Sequence, residues 1–276
     1  MSNINIHAPT SSPTSSLASN PLTSPRKTHV LIDNLNKSFS GLPLYIDFNL
    51  KISRGDIVSI FGPNGCGKST LINMIAGLTE IDTGQILFDG KTLTETKIGY
   101  VFQNYRDALF PWMNAWSNIA YPLKRSGMSA SQVKDRVEAL IDLFEIKFNL
   151  KQYPYELSGG QQQTISIMRA LATDPEVLFL DEPFSALDFE MTLFIREKLQ
   201  EANLKTGVTM LIVSHDLEDA VFLADKILLL TRRPTRIAAM LDFDLERPRK
   251  AESVSDPKFI KVKAKALEIF QNEMRA

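Results

Sequence analysis

The sequence predicts an α/β protein whose central strands are covered on both faces. Three observations carry this. Short β-rich apolar runs alternate with helical stretches, a glycine-rich loop joins one such run to an amphipathic segment, and a second run ends in two adjacent carboxylates. The chain has 276 residues, enough for one large or two modest domains around a sizeable core. It is 44% hydrophobic and 23% charged, the composition of an ordinary globular protein. Its 31 basic and 32 acidic residues leave a net charge of −1, which gives no sign of a nucleic-acid partner.

Residues 1 to 28 are dominated by Ser, Thr, Pro and Asn, contain no acid, and are expected to form a disordered tail. An organelle transit peptide shares that composition but needs an Arg-bearing amphipathic face, and a secretory signal needs an apolar segment that is absent here. No apolar run approaches the roughly 18 residues of a membrane-crossing helix. The single cysteine, Cys66, excludes an intrachain disulfide and a multi-cysteine zinc site, in keeping with a reducing, cytosolic compartment.

From His29 onward, strands are expected at Val30 to Ile32, Ile57 to Phe61, Ile86 to Phe88, Tyr100 to Phe102, Val177 to Leu180, Thr209 to Val213 and Ile227 to Leu230. A helix is expected to begin near Ser129, which forms a capping-box spacing with Gln132. It aligns Val133, Val137, Leu140, Ile141 and Phe144 on one face. This points to a helical subdomain between about Tyr105 and Tyr155. The alternating pattern is not repeated along the chain, which points to one such domain.

Gly62-Pro63-Asn64-Gly65-Cys66-Gly67-Lys68-Ser69-Thr70 matches the phosphate-loop pattern, after a predicted strand and before the amphipathic stretch Leu71 to Ala76. The glycines let backbone N–H groups converge on phosphate oxygens, and the following helix adds its positive end. Lys68 is placed to reach the β- and γ-phosphates, and Ser69 to ligate Mg²⁺. Cys66 reads as a small loop filler, although a thiol beside Lys68 and converging amides is also a candidate for unusual reactivity. At Asp181-Glu182 the buried-strand pattern from Val177 ends in the carboxylates needed to hold Mg²⁺ and activate water. Asp181 is expected to face the metal, with Glu182 accepting a proton from the attacking water.

At Leu157-Ser158-Gly159-Gly160-Gln161 the chain resembles the signature of the ATP-binding-cassette (ABC) ATPases, and the ordered set Lys68, Gln103, Ser158, Asp181, Glu182, Asp188 and His215 fits that family. The resemblance covers about residues 29 to 250, leaving 251 to 276 as a C-terminal tail with a helix near Phe259 to Met274. It implies an ABC-type cassette with a mixed sheet core, an antiparallel β subdomain and an inserted helical subdomain at about 105 to 156.

The resemblance further implies that two cassettes close head to tail, so that ATP on one phosphate loop is completed by Ser158, Gly159 and Gly160 of a second copy. Gln103 resembles the family's sensor of Mg²⁺ or attacking water, His215 its γ-phosphate contact, and Asp188 its communication between paired cassettes. Phe39, 29 residues before Lys68, stands where the family stacks adenine; core packing is the competing reading for this ring. Unaided by the resemblance, Asp188 reads as a helix N-cap and His215 as a structural histidine. Two departures stand out: Thr164 replaces the arginine usual after the signature's glutamines, and Met168 replaces a commoner small residue.

Phe110, Pro111, Trp112, Met113, Trp116 and Tyr121 crowd a segment after Gln103, with residue types favoured as interface anchors. In importers of this family the corresponding surface receives a helix from the membrane subunit; the alternative is that these rings fill the helical subdomain. Pro111-Trp112 and the stretch Thr231-Arg232-Arg233-Pro234-Thr235-Arg236-Ile237, followed by Leu245 to Arg249, resemble the nitrate, sulfonate, taurine and bicarbonate importer branch. The tail after Lys250 is too short for the regulatory domain appended in sugar and sulfate importer ATPases.

The resemblance therefore implies a peripheral ATPase on the cytoplasmic face of the inner membrane, using ATP and Mg²⁺. Its implied partners are a second cassette, transmembrane permease subunits and, indirectly, a solute-binding protein, with no nucleic acid. An exporter or lipoprotein-extraction ATPase shares the catalytic motifs. A nucleic-acid-associated ABC protein requires a coiled-coil insertion or tandem cassettes, and Lys68 and Leu157 are only 89 positions apart with no heptads between them.

Overall fold

The structure, a computed structural model, describes residues 27 to 185 and 187 to 275, without the side chain of Tyr105. The expected tail lies outside the described residues except for its last two, and Thr28 already opens a strand.

Six strands make the central sheet. They are β3 (Ile57–Phe61), β5 (Ile98–Val101), β6 (Val177–Asp181), β7 (Thr209–Val213), β8 (Lys226–Leu230) and β9 (Ile237–Asp242), in the order β5-β6-β7-β3-β8-β9. All pairings are parallel except β8 with β9, so the sheet is mixed. Successive residues of the inner strands feed two different cores. Leu178, Leu180, Met210, Ile212, Ile227 and Leu229 join one, while Val177, Phe179, Leu211, Val213, Leu228 and Leu230 join the other. Burial on both faces explains why these strands read as continuous apolar runs.

The second core lies under a three-stranded antiparallel sheet of β1 (Thr28–Phe39), β2 (Leu42–Ser53) and β4 (Thr83–Phe88), in the order β2-β1-β4, together with helix α1 (Lys68–Ile75). The first core packs under the helices α3 (Ala115–Arg125), α4 (Ala130–Leu143) and α5 (Gly159–Leu171), preceded by the short turn α2 (Tyr105–Ala108). α4 carries the expected cap: the Gln132 amide donates to Ser129 Oγ at 3.3 Å and Gln132 Oε1 accepts from the Ser129 amide at 2.9 Å. Three more helices, α6 (Phe189–Thr206), α7 (Leu217–Leu223) and α8 (Pro257–Arg275), complete the described fold.

Two strands, β2 and β9, have no counterpart in the sequence expectation. β2 went unread because bulges break its alternation: its pairing with β1 shifts register repeatedly, and Asn34 and Asp47 adopt positive φ beside Asn36 and Asn49. β9, of which only Ile237 falls in the stretch singled out from the sequence, is a half-buried edge strand whose Ala238 and Ala239 carry little apolar signal. β5 also ends at Val101, one residue early, leaving Phe102 exposed.

Candidate functional site

Because β3, β6, β7 and β8 run parallel, their carboxyl ends meet at one edge, where open α/β sheets gather ligand-binding groups. The phosphate loop leaves β3 there and enters α1. Gly65 and Gly67 hold φ of +74° and +104°, conformations that only glycine adopts without strain. Gly62 is constrained differently, since a Cβ on it would lie 2.9 Å from the Leu230 carbonyl oxygen of β8. Lys68 is 7% exposed, and its ammonium donates to the Gly62 and Pro63 carbonyls at 3.0 and 3.2 Å, so the loop curls around it. Cys66 is buried, and desolvation pushes its thiol pKa up, which fits a filler and not a reactive thiolate.

At the end of β6, Asp181 accepts a hydrogen bond from Ser69 Oγ at 2.9 Å. Burial raises its carboxyl above the ordinary range, opposed by that hydrogen bond. The next residue, Glu182, has φ +47°, an uncommon conformation for a residue with a side chain; its amide donates to the Val213 carbonyl of β7 at 3.0 Å. Two side chains converge on its Oε2. Gln103, just beyond β5, donates from Nε2 at 2.8 Å, and His215, just beyond β7, places Nδ1 at 3.3 Å. Sheet order explains the meeting, because β6 lies between β5 and β7. His215 is 57% exposed, so it faces the open edge and is not a core histidine.

The remaining candidates sit apart from this cluster. Ser158 caps α5, accepting from the Gln161 amide at 3.3 Å while Gln161 Oε1 accepts from the Ser158 amide at 2.9 Å. Among the described residues no hydrogen bond or ion pair joins Ser158, Gly159 or Gly160 to the phosphate loop of the same chain. α5 instead leans on α6: a Cβ on Gly160 would meet Met191 Cγ at 2.6 Å, and Gln163 Nε2 donates to the Pro183 carbonyl beside Glu182 at 2.7 Å. Thr164 donates back to the Gly160 carbonyl at 2.8 Å and is buried with Met168. Asp188 caps α6, accepting from the Met191 amide at 2.8 Å; its neighbour Ala186 lies outside the described residues. Phe39 ends β1 at 44% exposure, with the Lys37 ammonium 5.1 Å from its ring centre, so it is a surface ring and not a core residue.

Three contacts behind the phosphate loop have no counterpart in the sequence reading. Tyr45 donates from its hydroxyl to the Gly67 carbonyl at 3.0 Å, Arg233 Nε donates to the Gly65 carbonyl at 2.7 Å, and Thr235 Oγ1 donates to the Cys66 carbonyl at 2.5 Å. They reach across 22, 168 and 169 positions, beyond any local pattern. The Arg-Arg-Pro-Thr run holds two of the three donors, but as a sequence feature it points only to the importer branch and not to the loop.

A glycine-rich loop entering a helix, a buried lysine and strand-end carboxylates at a parallel sheet edge define a phosphate-loop nucleotide-binding domain. The family model described as ABC transporter matches residues 45–185, and the chain belongs to the ABC transporter family. It is 37% identical over 252 residues to the aliphatic sulfonates import ATP-binding protein of Bacillus cereus, covering 88% of this chain and 96% of that one. It is 42% identical over 210 residues to the sulfate/thiosulfate import ATP-binding protein of Neisseria meningitidis, covering 73% of this chain and 58% of that longer one. Among solved structures, a dimeric ATP-binding cassette in a post-hydrolysis state with ADP and Pi superposes with a TM-score of 0.69 at 30% identity, over 79% of this chain and all of that one. A cassette from Clostridium perfringens, part of a cbiONQ transporter complex, gives a TM-score of 0.73 at 25% identity, over 91% of this chain and all of that one.

Proposed function

We propose that this chain is the ATP-hydrolysing subunit of a solute importer, working as a pair of cassettes beneath separate transmembrane permease subunits. The observation that carries the proposal is the convergence of Gln103 and His215 on the Glu182 carboxylate, one residue from the Asp181–Ser69 contact of the phosphate loop. A hydrolase needs such a constellation: a phosphate grip, a proton acceptor and groups that orient water.

In this reading ATP lies along residues 62 to 70, with Lys68 releasing the loop carbonyls to face the β- and γ-phosphates and Phe39 offering its exposed ring to adenine. Ser69 and Asp181, hard oxygen donors already within hydrogen-bond reach, suit Mg²⁺, which supplies neutralising charge to the phosphates when bound. Glu182 takes a proton from water as the water oxygen attacks the γ-phosphorus and the bond from that phosphorus to the β–γ bridging oxygen breaks, releasing ADP and phosphate, while Gln103 and His215 hold the water in line. Among the described residues Ser158, Gly159 and Gly160 make no hydrogen bond or ion pair to the loop of their own chain, and in this reading they serve the nucleotide of a second, identical copy, closing the site from across the dimer. Asp188, capping α6 next to that segment, ties closure to the helix behind it.

The docking face is the aromatic segment after Gln103. Asn118 shapes it by accepting from the Phe110 amide at 2.9 Å and donating to the Phe110 and Met113 carbonyls at 3.2 and 3.0 Å. Trp112, 69% exposed, and Tyr121 flank Phe110, whose other neighbour is the Arg169 guanidinium 5.4 Å from its ring centre. Trp116 packs onto the helical core instead. A cleft of about 410 Å³ opens beside this cluster, lined by Tyr100, Phe102, Phe110, Tyr121 and Arg169 among others, and suits a short helix from a permease. Among the described residues no helix is long and apolar enough to cross a membrane. Work beneath a permease, with ATP as fuel, places the chain peripherally at the cytoplasmic face of the inner membrane in this proposal. The named relatives, import proteins for sulfate/thiosulfate and aliphatic sulfonates, favour import over export and a solute of the sulfonate or sulfate kind; delivery by a solute-binding protein belongs to the same proposal. Neutral net charge gives no footing for nucleic acid.

The test is purification from the native membrane in mild detergent, followed by phosphate release from ATP. A co-purifying polytopic permease whose presence raises the ATPase rate is expected. Ribosomes or DNA in its place, or no ATP-dependent phosphate release, overturns the proposal.

A further inference from the structure

We propose that Tyr45, Arg233 and Thr235 are positioning residues that set nucleotide affinity by pinning the peptide planes of the phosphate loop from behind. The inference rests on the nucleotide-binding reading above and concerns residues outside the phosphate-loop pattern. The three side chains engage three consecutive carbonyls, those of Gly65, Cys66 and Gly67. In a trans peptide the C=O of one residue and the N–H of the next point in opposite directions. Fixing these oxygens therefore fixes the N–H vectors of Cys66, Gly67 and Lys68 on the far side. The Cys66 amide closes the loop on the Pro63 carbonyl at 3.2 Å, whereas those of Gly67 and Lys68 meet no carbonyl among the described residues; the Lys68 amide faces the Cys66 sulfur, a weak acceptor that a phosphate oxygen can displace.

A loop this rich in glycine needs such a restraint. Gly65 and Gly67 lie at positive φ, where glycine has many alternatives of similar energy, and only one arrangement aims the amides together. Ligand affinity falls in proportion to the fraction of loops in the competent arrangement. Loop composition makes the strained turn possible, and the three distant donors select it.

The clamp is itself anchored. Tyr45 and Thr235 are each 1% exposed; the Tyr45 ring packs edge-on against Phe48 at 4.9 Å, and the Thr235 amide donates to the Leu44 carbonyl at 2.7 Å, joining β2 to the β8–β9 turn. On its other side the turn meets α8, where Arg232 Nη2 lies 3.8 Å from Met274 Sδ. α8 also packs Phe270 on Phe61, the last residue before the loop, at 5.0 Å. Gly67 takes part directly: a Cβ there would sit 3.0 Å from Leu44 and 3.2 Å from the Tyr45 hydroxyl, so a side chain would push the donor off its carbonyl.

The test compares Arg233→Met, Arg233→Lys and Tyr45→Phe in the full chain, by titration with a fluorescent ATP analogue, by KM and kcat of the permease-associated protein, and by melting without nucleotide. Losing one hydrogen bond corresponds to about a 2–12-fold loss of affinity. A thioether cannot donate; because Arg233 is exposed, Arg233→Met is expected to melt like the wild type, bind ATP about 2–12-fold more weakly, and raise KM more than it lowers kcat. Arg233→Lys keeps a donor and recovers most of the loss, and Tyr45→Phe weakens binding by a similar factor while melting lower, because its lost hydrogen bond is buried. Wild-type affinity in Arg233→Met, equal weakness in Arg233→Lys, or a fall in kcat at unchanged KM overturns the inference. Failure of the wild-type protein to bind the analogue would sink the nucleotide reading itself and is read before any variant is compared.

Discussion

Replacing Glu182 by Gln isolates proton acceptance from architecture. The amide has the carboxylate's shape, and its oxygen still accepts from Gln103 Nε2, which now lies 2.8 Å from Glu182 Oε2. The backbone, held at positive φ by the Glu182 amide donating to the Val213 carbonyl at 3.0 Å, gains and loses nothing. What disappears is one negative charge 3.3 Å from His215 Nδ1, and with it the group that takes water's proton. General-base catalysis contributes about 10²–10⁴ in rate, so turnover is expected to fall by about that factor. Binding is expected to survive, because Lys68, Ser69 and the loop amides are untouched. The assay pairs single-turnover phosphate release with size-exclusion chromatography in ATP, where the variant accumulates as a long-lived dimer. Turnover within about threefold of wild type is far too small a change for the loss of a general base, and would refute the assignment of Glu182 as proton acceptor.

Two further outcomes follow from the packing. Gly160→Ala places a methyl 2.6 Å from Met191 Cγ, so the Met191 side chain must leave its rotamer or α5 and α6 must separate; overpacking of this kind costs about 1–3 kcal/mol, measured by urea unfolding. The double variant with Met191→Ala regains part of that stability, and a single variant as stable as wild type would contradict the close approach. His29 is fully buried, with Nδ1 2.6 Å from Thr209 Oγ1, and desolvation followed by the nearby Arg54 lowers its pKa below the usual 6.5. A lowered folded pKa means that the unfolded chain binds the proton more readily, so this contribution to stability is whole above pH 6.5 and is lost as pH falls below it. Unfolding free energies at about pH 7.5 and about pH 5.5 are expected to differ less in His29→Gln than in the wild type, and an equal difference would exclude His29 as the cause.

Much of this protein could be read locally. The phosphate loop, the run ending in Asp181-Glu182 and the capping boxes at Ser129 and Ser158 each depend on residues within about one turn of one another, so their spacing carries the geometry. The inner strands were equally plain, because burial on both faces makes every position apolar. Tertiary structure alone brought Gln103 across 79 positions to Glu182, since that contact depends on β6 lying between β5 and β7, an order unrelated to the order along the chain. It alone revealed β2 and β9, where bulges and small edge residues erase the period that marks a strand. It also alone placed Tyr45, Arg233 and Thr235 behind the loop, because a hydrogen bond to a backbone carbonyl requires only a donor in reach and leaves no motif in the residues it joins.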